Sequence, residues 1–211
     1  MTRSTARRAM IEAAEYLVAE HGMAALTFKD VQVRAGQLNK SAAKYHFGSR
    51  EGLIKAVLEE RMAPVDARRR LILDELLADS ERPTLRQLVE THIHPLAEHT
   101  LLRTDSRYAR FLVQALFDPK LAEIIWKQVE AESFRQVTDM IVATIPAPAG
   151  LARLRADQIL THVIVTLATW EAKPRSRSQS RVLVLDLVET SLGIARADVS
   201  PSITSFFGAS Q

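Results

Sequence analysis

Apolar positions recur along this chain at the three- and four-residue spacing of helices, not with the alternation of strands. Met10, Ile11, Ala14, Leu17 and Val18 form the first such stripe, which Gly22 closes. Ser4 or Thr5 can begin that helix by accepting from an orphan amide of its first turn. Thr27, with Asp30 three residues on, announces a second helix whose buried side would be Leu26, Val31, Ala35 and Leu38. Ala35-Gly36 ends it, since glycine takes the left-handed conformation a tight turn needs. Asn39 or Ser41 then caps a short third helix through His46, and Gly48-Ser49 breaks it. Ser49 caps a fourth helix, which turns Leu53, Ile54, Val57 and Leu58 inward and is expected to end at Met62.

The pattern stays helical beyond this point. Pro64 suits the first position of a new helix, followed by Leu71, Leu73, Leu76 and Leu77. Pro83-Thr84 opens another, with Leu85, Leu88, Val89, His92 and Leu96 on one stripe. Pro95 lies inside that stripe, removes a backbone bond and crowds the carbonyl of Thr91, so a kink or break is predicted there. Tyr108, Phe111, Leu112, Ala115 and Leu116 make the next stripe, ended near Asp118-Pro119. A long helix to about Ile145 follows, carrying Leu121, Ile124, Ile125, Val129, Val137, Met140 and Ile141, and residues 146–150 read as a loop.

Residues 159–170 and 182–194 read as apolar on nearly all sides, with a basic polar loop over 173–180 between them. A helix apolar all round must be buried all round. A second copy of the chain, packing the same two helices into a four-helix bundle, would bury both. Val163, Leu167, Val184, Leu187 and Val188 are the expected seam of that homodimer. The tail 198–211 gives no clear pattern, and Phe206-Phe207 either docks on the body or stays free of it. The expected fold is all-α, with a small N-terminal domain over 1–50, a larger helical domain over 51–211, and helix 49–62 linking them.

Charge narrows the functional class. Residues 1–62 hold 10 Lys+Arg against 7 Asp+Glu, and the other 149 hold 18 of each, so the whole net charge of +3 lies at the N-terminal end. That placement favours an anionic partner there, nucleic acid first. Cysteine is absent, which excludes disulfides, thiolate nucleophiles and Cys-ligated metal. Glu12, Glu15 and Glu20 interrupt the stretch a secretory leader would need to keep apolar, and no apolar run reaches the roughly 20 residues of a membrane span. A cytoplasmic protein without membrane contact is expected.

Three short helices and a longer one, with a glycine turn between the second and third, form the pattern of a helix-turn-helix. In that motif the third helix meets the major groove of double-stranded DNA. The stretch NKSAAKYHF suits it. Ala42 and Ala43 let the backbone approach the bases, and a methyl can touch a thymine methyl. Lys40 and Lys44 lie four apart on one face, while Tyr45 and His46 can donate to phosphate.

These residues resemble the TetR family of bacterial transcriptional regulators. The resemblance runs from about Thr5 to Met62 and is densest in TFKDVQVRAGQLNKSAAKYHFGSREGLIKAVLEE. It rests on Thr27, Ala35-Gly36, Tyr45-His46-Phe47 and Ser49-Arg50-Glu51-Gly52-Leu53. Lys44 stands where the family commonly has a first tyrosine, and Gln37 lengthens the interval from Gly36 to Phe47 by one residue. The resemblance implies phosphate contacts from Thr27, Tyr45, His46 and Arg50 and base-edge contacts from Lys40, Ser41, Ala42 and Lys44. Arg3, Arg7 and Arg8 would form a basic arm able to reach an adjacent phosphate or the minor groove.

The family's logic further implies a homodimeric repressor on a pseudo-palindromic operator, with half-sites about 34–36 Å apart. The larger domain would enclose a pocket for a small, largely apolar effector, and helix 49–62 would carry the response. His92, Phe111, Trp126 and Trp170 are the candidate pocket residues, though each also reads as ordinary packing. No cofactor is expected. Two other classes are weighed against this reading. An architectural DNA-binding protein would spread basic charge over its surface, which the neutral remainder of the chain does not. A helical metal-dependent enzyme would draw on His92, His94 and His99, but His-x-His does not set both rings on one helical face. No HExxH, phosphate loop or G-x-S-x-G accompanies them.

Overall fold

The computed structural model describes residues 3–37, 39, 41–118, 121 and 132–208. Every regular element among them is helical: α1 (Arg3–His21), a 3-10 turn (Met23–Ala25), α2 (Phe28–Arg34), α3 (Ala42–Phe47), α4 (Arg50–Asp79), α5 (Leu85–His99), α6 (Tyr108–Leu116), α7 (Glu132–Thr144), α8 (Ala149–Glu171), α9 (Arg177–Arg196) and α10 (Pro201–Gly208).

Helices α2, α4, α5 and α9 start where the sequence supplies an acceptor for an orphan amide. Thr27 Oγ1 accepts from Asp30 N at 3.1 Å, and Ser49 Oγ accepts from Gly52 N at 3.0 Å. Thr84 with Gln87, and Ser176 with Gln179, close reciprocal capping boxes at the starts of α5 and α9. The stripe of α1 (Met10, Ile11, Ala14 and Val18) meets Leu26, Val31, Ala43, Leu53 and Ile54 in the small N-terminal core.

Helix α4 does not end at Met62. It runs for 30 residues with Pro64 inside it. Proline costs a helix one backbone bond, but the buried positions Leu58, Met62, Val65, Arg69 and Leu73 keep a three- and four-residue spacing straight through it, while Pro64 itself faces solvent. Packing on one side therefore carries the helix past the defect. Helix α5 likewise is not broken at Pro95; that residue is buried within the helix, which continues to His99. Ile124, Ile125 and Val129 of the long helix expected before Ile145 lie outside the described residues. The expected loop 146–150 is shorter, because α8 already begins at Ala149 on Pro148.

The larger domain is a helical pack: α4 lies on α5 and α7, α5 on α7 and α9, and α8 on α6, α7 and α9. Helix α1 also packs on α6, so the N-terminal domain rests on the larger one through two helices, α4 and α6. The tail docks. The Phe207 ring sits so close to Gly150 that a Cβ there would lie 2.8 Å from it. Arg155, buried in α8, donates to the carbonyls of Ala195, Ala197 and Asp198, which fixes the end of α9.

Helices α8 and α9 are not apolar all round. Val163, Leu167, Val184, Leu187 and Val188, expected at a dimer seam, are all buried inside the chain itself. Their side chains fill the layer where α9 meets α5 and α8. The outward faces instead carry Val165, Val182 and Leu185, the last two 64% and 62% exposed, among Asp186, Glu189 and Arg181. A seam residue must be exposed in the single chain, and hydrophobicity alone does not say which residues are.

Candidate nucleic-acid interface

The turn between α2 and α3 is built from backbone and amide groups. Gly36 adopts φ 64°, Gln37 N donates to Gln32 O at 2.9 Å, and Gln32 Nε2 donates to Asn39 O at 2.9 Å. Asn39 Oδ1 accepts from Ser41 N at 2.9 Å, so Asn39 holds the approach to α3 while the Ser41 side chain makes no capping bond. Ala43 is fully buried and anchors α3. This orients the opposite face outward: Ser41 and Lys44 are exposed, Tyr45 is 67% exposed, and Ala42 and His46 are half-buried. Tyr45 and His46 meet edge to face at 5.4 Å. An open hollow of about 430 Å³ lies beside them, lined by Ala6, Gln37, Asn39, Ser41, Ala42, Tyr45 and His46.

The turn into α4 admits one residue type at position 52. A Cβ on Gly52 would sit 2.1 Å from the carbonyl oxygen of Phe47, a clash with backbone that no rotamer relieves. Arg50 reaches back across the domain, donating from Nε to Leu26 O at 3.2 Å and from Nη2 to Met23 O at 2.6 Å. It ties the 3-10 turn to the start of α4. Thr27 stays at the surface, where its hydroxyl also donates to Asp30 Oδ2 at 2.6 Å. Lys40 lies outside the described residues.

Arg7 and Arg8 belong to α1, which starts at Arg3, so they form no free arm. Arg7 Nη1 lies 3.4 Å from Glu60 with its guanidinium 5.7 Å from the Phe47 ring centre, and Arg8 Nε lies 3.3 Å from Glu12.

A second cluster joins the two domains. Glu15 of α1 accepts from Arg61 Nε at 2.6 Å and from the backbone of Arg107 at 3.3 Å. Glu20 accepts from Arg107 Nε at 3.1 Å and Arg110 Nη2 at 2.9 Å. Glu171, buried at the end of α8, accepts from Ser106 Oγ at 2.7 Å and from the amides of Ala109 and Arg110 at 3.3 and 3.0 Å. Burial pushes its pKa up, opposed by those bonds. Arg110 thus links Glu20 of the N-terminal domain to Glu171 of the larger one. A search for apolar stripes passes over Glu171 and Arg69 because both are charged. Their positions hold the clue: Glu171 extends the α8 stripe from Ile164, Leu167 and Ala168, and Arg69 falls between Val65 and Leu73.

The described candidate effector residues each pack against a different neighbour. His92 is buried between α5 and α7, its ring 4.6 Å from that of Phe134. Phe111 stacks on Tyr108 at 6.2 Å and is fully buried on α6. Trp170 is half-buried with Lys173 Nζ 4.1 Å from its ring centre, and Trp126 lies outside the described residues. The three histidines also diverge: His94 lines a groove between α4 and α5, while His99 Nδ1 lies 2.9 Å from Pro95 O. Among the described residues no group of three His, Asp or Glu side chains could hold a metal ion, and no helix is long and apolar enough to cross a membrane.

Residues 10–57, the whole of the helix-turn-helix, match the bacterial regulatory proteins of the tetR family. Over this segment the chain is similar to that family. Solved transcriptional regulators share the fold over nearly the full chain. NalD of Pseudomonas aeruginosa, the secondary repressor of the MexAB-OprM multidrug efflux pump, aligns with a TM-score of 0.56 at 17% identity, covering 94% of this chain and 100% of its own. The TetR-family regulator PfmR of Thermus thermophilus aligns at 0.53 and 18%, covering 85% and 97%. FadR of Bacillus subtilis, solved with stearoyl-CoA, aligns at 0.52 and 18%, covering 86% and 97%. At such identities the likeness is one of fold. No curated protein matches the chain.

Proposed function

We propose that the protein is a homodimeric transcriptional repressor that binds a pseudo-palindromic operator through α3 and is released from it by a small organic effector. The observation that carries this reading is the orientation of α3. Its buried Ala43 turns Ser41, Lys44 and Tyr45 outward together on a helix held by the α2 turn and by Gly52. Lys44 and Tyr45 would contact bases and phosphates, with Ser41 and Ala42 close to the base edges and Thr27 and His46 on flanking phosphates. Arg50 would act from beneath, by fixing the frame of α2 and α4. Residues 1–50 would form the DNA-binding domain and 51–211 the effector-binding and dimerisation domain.

The dimer would pair the exposed faces of α8 and α9, with Val165, Val182 and Leu185 at its centre. Two modules held together also bring the affinity that one short helix lacks. Stearoyl-CoA bound to FadR supports an organic effector for a fold of this kind. An effector acts only by favouring one of two conformations, and the Glu20–Arg110–Glu171 link offers a route for it besides α4.

Capture of fragmented genomic DNA from the source organism tests the reading. Wild type should retain a few short palindromic fragments, and the Lys44→Ala/Tyr45→Ala double variant should retain none while keeping its helical circular dichroism. Equal retention by both proteins would remove α3 from the interface.

A further inference from the structure

Of the buried polar side chains inside the larger domain with donors or acceptors unused, two lie against the same ring. Arg69 of α4 is 2% exposed, and its Nε and Nη1 have no hydrogen-bond partner. His92 of α5 is buried as well, and its Nδ1 has none. Both flank the ring of Phe134 from α7, the imidazole at 4.6 Å between ring centres and the guanidinium carbon at 5.4 Å from the ring centre. One turn away on the same helices stand Val65, Leu73, Leu88, Leu96 and Val137, all buried and apolar.

The charge of Arg69 is paired without a hydrogen bond. Among the described residues its nearest carboxylate is Asp66, with Oδ1 at 3.6 Å, beyond hydrogen-bond range. Asp66 is shared: its Oδ2 lies 3.6 Å from Arg70, and its Oδ1 accepts from Ser133 Oγ. Buried charges are normally paired and hydrogen-bonded, since leaving one uncompensated is strongly unfavourable. Burial lowers the Arg69 pKa to about 10, with Asp66 opposing. A group in that position is either a structural defect or one half of a pair.

We propose that Arg69 and His92 form the polar end of the effector site, and that the effector is a carboxylic acid with an apolar body. This rests on the regulator reading above and names the ligand class for it. Unused guanidinium donors with a carboxylate already 3.6 Å away suit a monoanion and disfavour a dianion such as a phosphate monoester. The carboxylate would accept from Arg69 Nε or Nη1, a charge-assisted bond in a desolvated site. His92 Nδ1 would meet its second oxygen. Phe134 and the apolar turns around it would receive the body of the ligand. Residues 69 and 92 lie 23 apart in sequence on different helices, which is why only the packed structure assembles the site.

The test is calorimetric titration of the free protein, without DNA, using linear C6 to C12 carboxylates and 3-phenylpropanoate, each beside the alcohol and the amine of the same skeleton. The proposal expects at least one acid to bind about 10- to 100-fold more tightly than its alcohol, the span of one charge-assisted bond, and the amine to bind weakest. In Arg69→Met the preference should fall below about 3-fold. That exchange replaces a buried, poorly hydrogen-bonded charge by an apolar chain of similar length, so folding is expected to survive it. His92→Gln provides a second variant, with a smaller loss. No acid preferred over its alcohol in wild type would overturn the proposal whatever the variants do, and a preference that survives Arg69→Met would overturn it equally. Failure of the regulator reading is distinct, since it appears as loss of specific DNA retention with acid binding intact.

Discussion

His92 should make the protein acid-sensitive in a predictable way. Burial, and after it the charge of Arg69, lowers the imidazole pKa from 6.5 to about 3. In the unfolded chain His92 titrates near its ordinary value. Between these two values the unfolded state binds a proton that the native state refuses, so stability is complete above pH 6.5 and is lost as pH falls toward 3. Each pH unit inside that window costs about 1.4 kcal/mol, and between pH 7 and pH 5 the loss comes to about 2 kcal/mol. Against a typical domain stability of about 5–15 kcal/mol, that is a measurable fraction. His92→Gln removes the titration and keeps a polar side chain of similar size. The assay is urea unfolding of both proteins at pH 7.5, 6 and 5. The two stabilities should differ by a constant at high pH and converge or cross by about 2 kcal/mol at pH 5 in favour of the variant. The other five histidines are common to both proteins and cancel in the difference. Parallel stability curves would refute the burial argument, because a group that titrates alike in both states cannot contribute to the slope.

Two further outcomes separate packing from assembly and test the helix defect. Leu187→Asp places a charge in the layer between α9, α5 and α8 and should cost more than about 4 kcal/mol, seen as loss of cooperative unfolding. Leu185→Asp should change unfolding of the single chain by no more than about 0.5 kcal/mol while shifting sedimentation from dimer to monomer; an unshifted dimer would move the seam away from α9. Pro64→Ala restores a backbone donor within α4 at an exposed position and should raise stability by about 1–3 kcal/mol in denaturant titration. An unchanged midpoint would mean the helix had already absorbed the cost of the proline.

The N-terminal domain is legible in the sequence because its signals are local. Thr27 and Ser49 sit next to the amides they cap, and Gly36 and Gly48 mark turns of positive φ. The stripes of α1, α5 and α6 name their buried sides correctly, since periodicity reports which face turns inward. The same local reading fails at Pro64, where one residue argues for a helix end and packing on its neighbours outweighs it, and α5 likewise runs on past Pro95. It fails again at α8 and α9: hydrophobicity says that a residue is buried, and is silent on whether its own chain or a partner does the burying. Val184 and Leu187 are buried by their own chain, whereas Val182 and Leu185 stay exposed on it.

What the sequence determined by itself was the helical class, the position of the helix-turn-helix and the basic bias of that end. All three follow from interactions within about a turn of each residue or from simple charge. Tertiary structure alone decided that Arg50 braces the frame, that Arg110 spans Glu20 and Glu171, and that Arg69 and His92 both lie against the Phe134 ring. Those pairings join residues 23 to 90 apart. Their effect depends on desolvation, which exists only once the helices have closed over them.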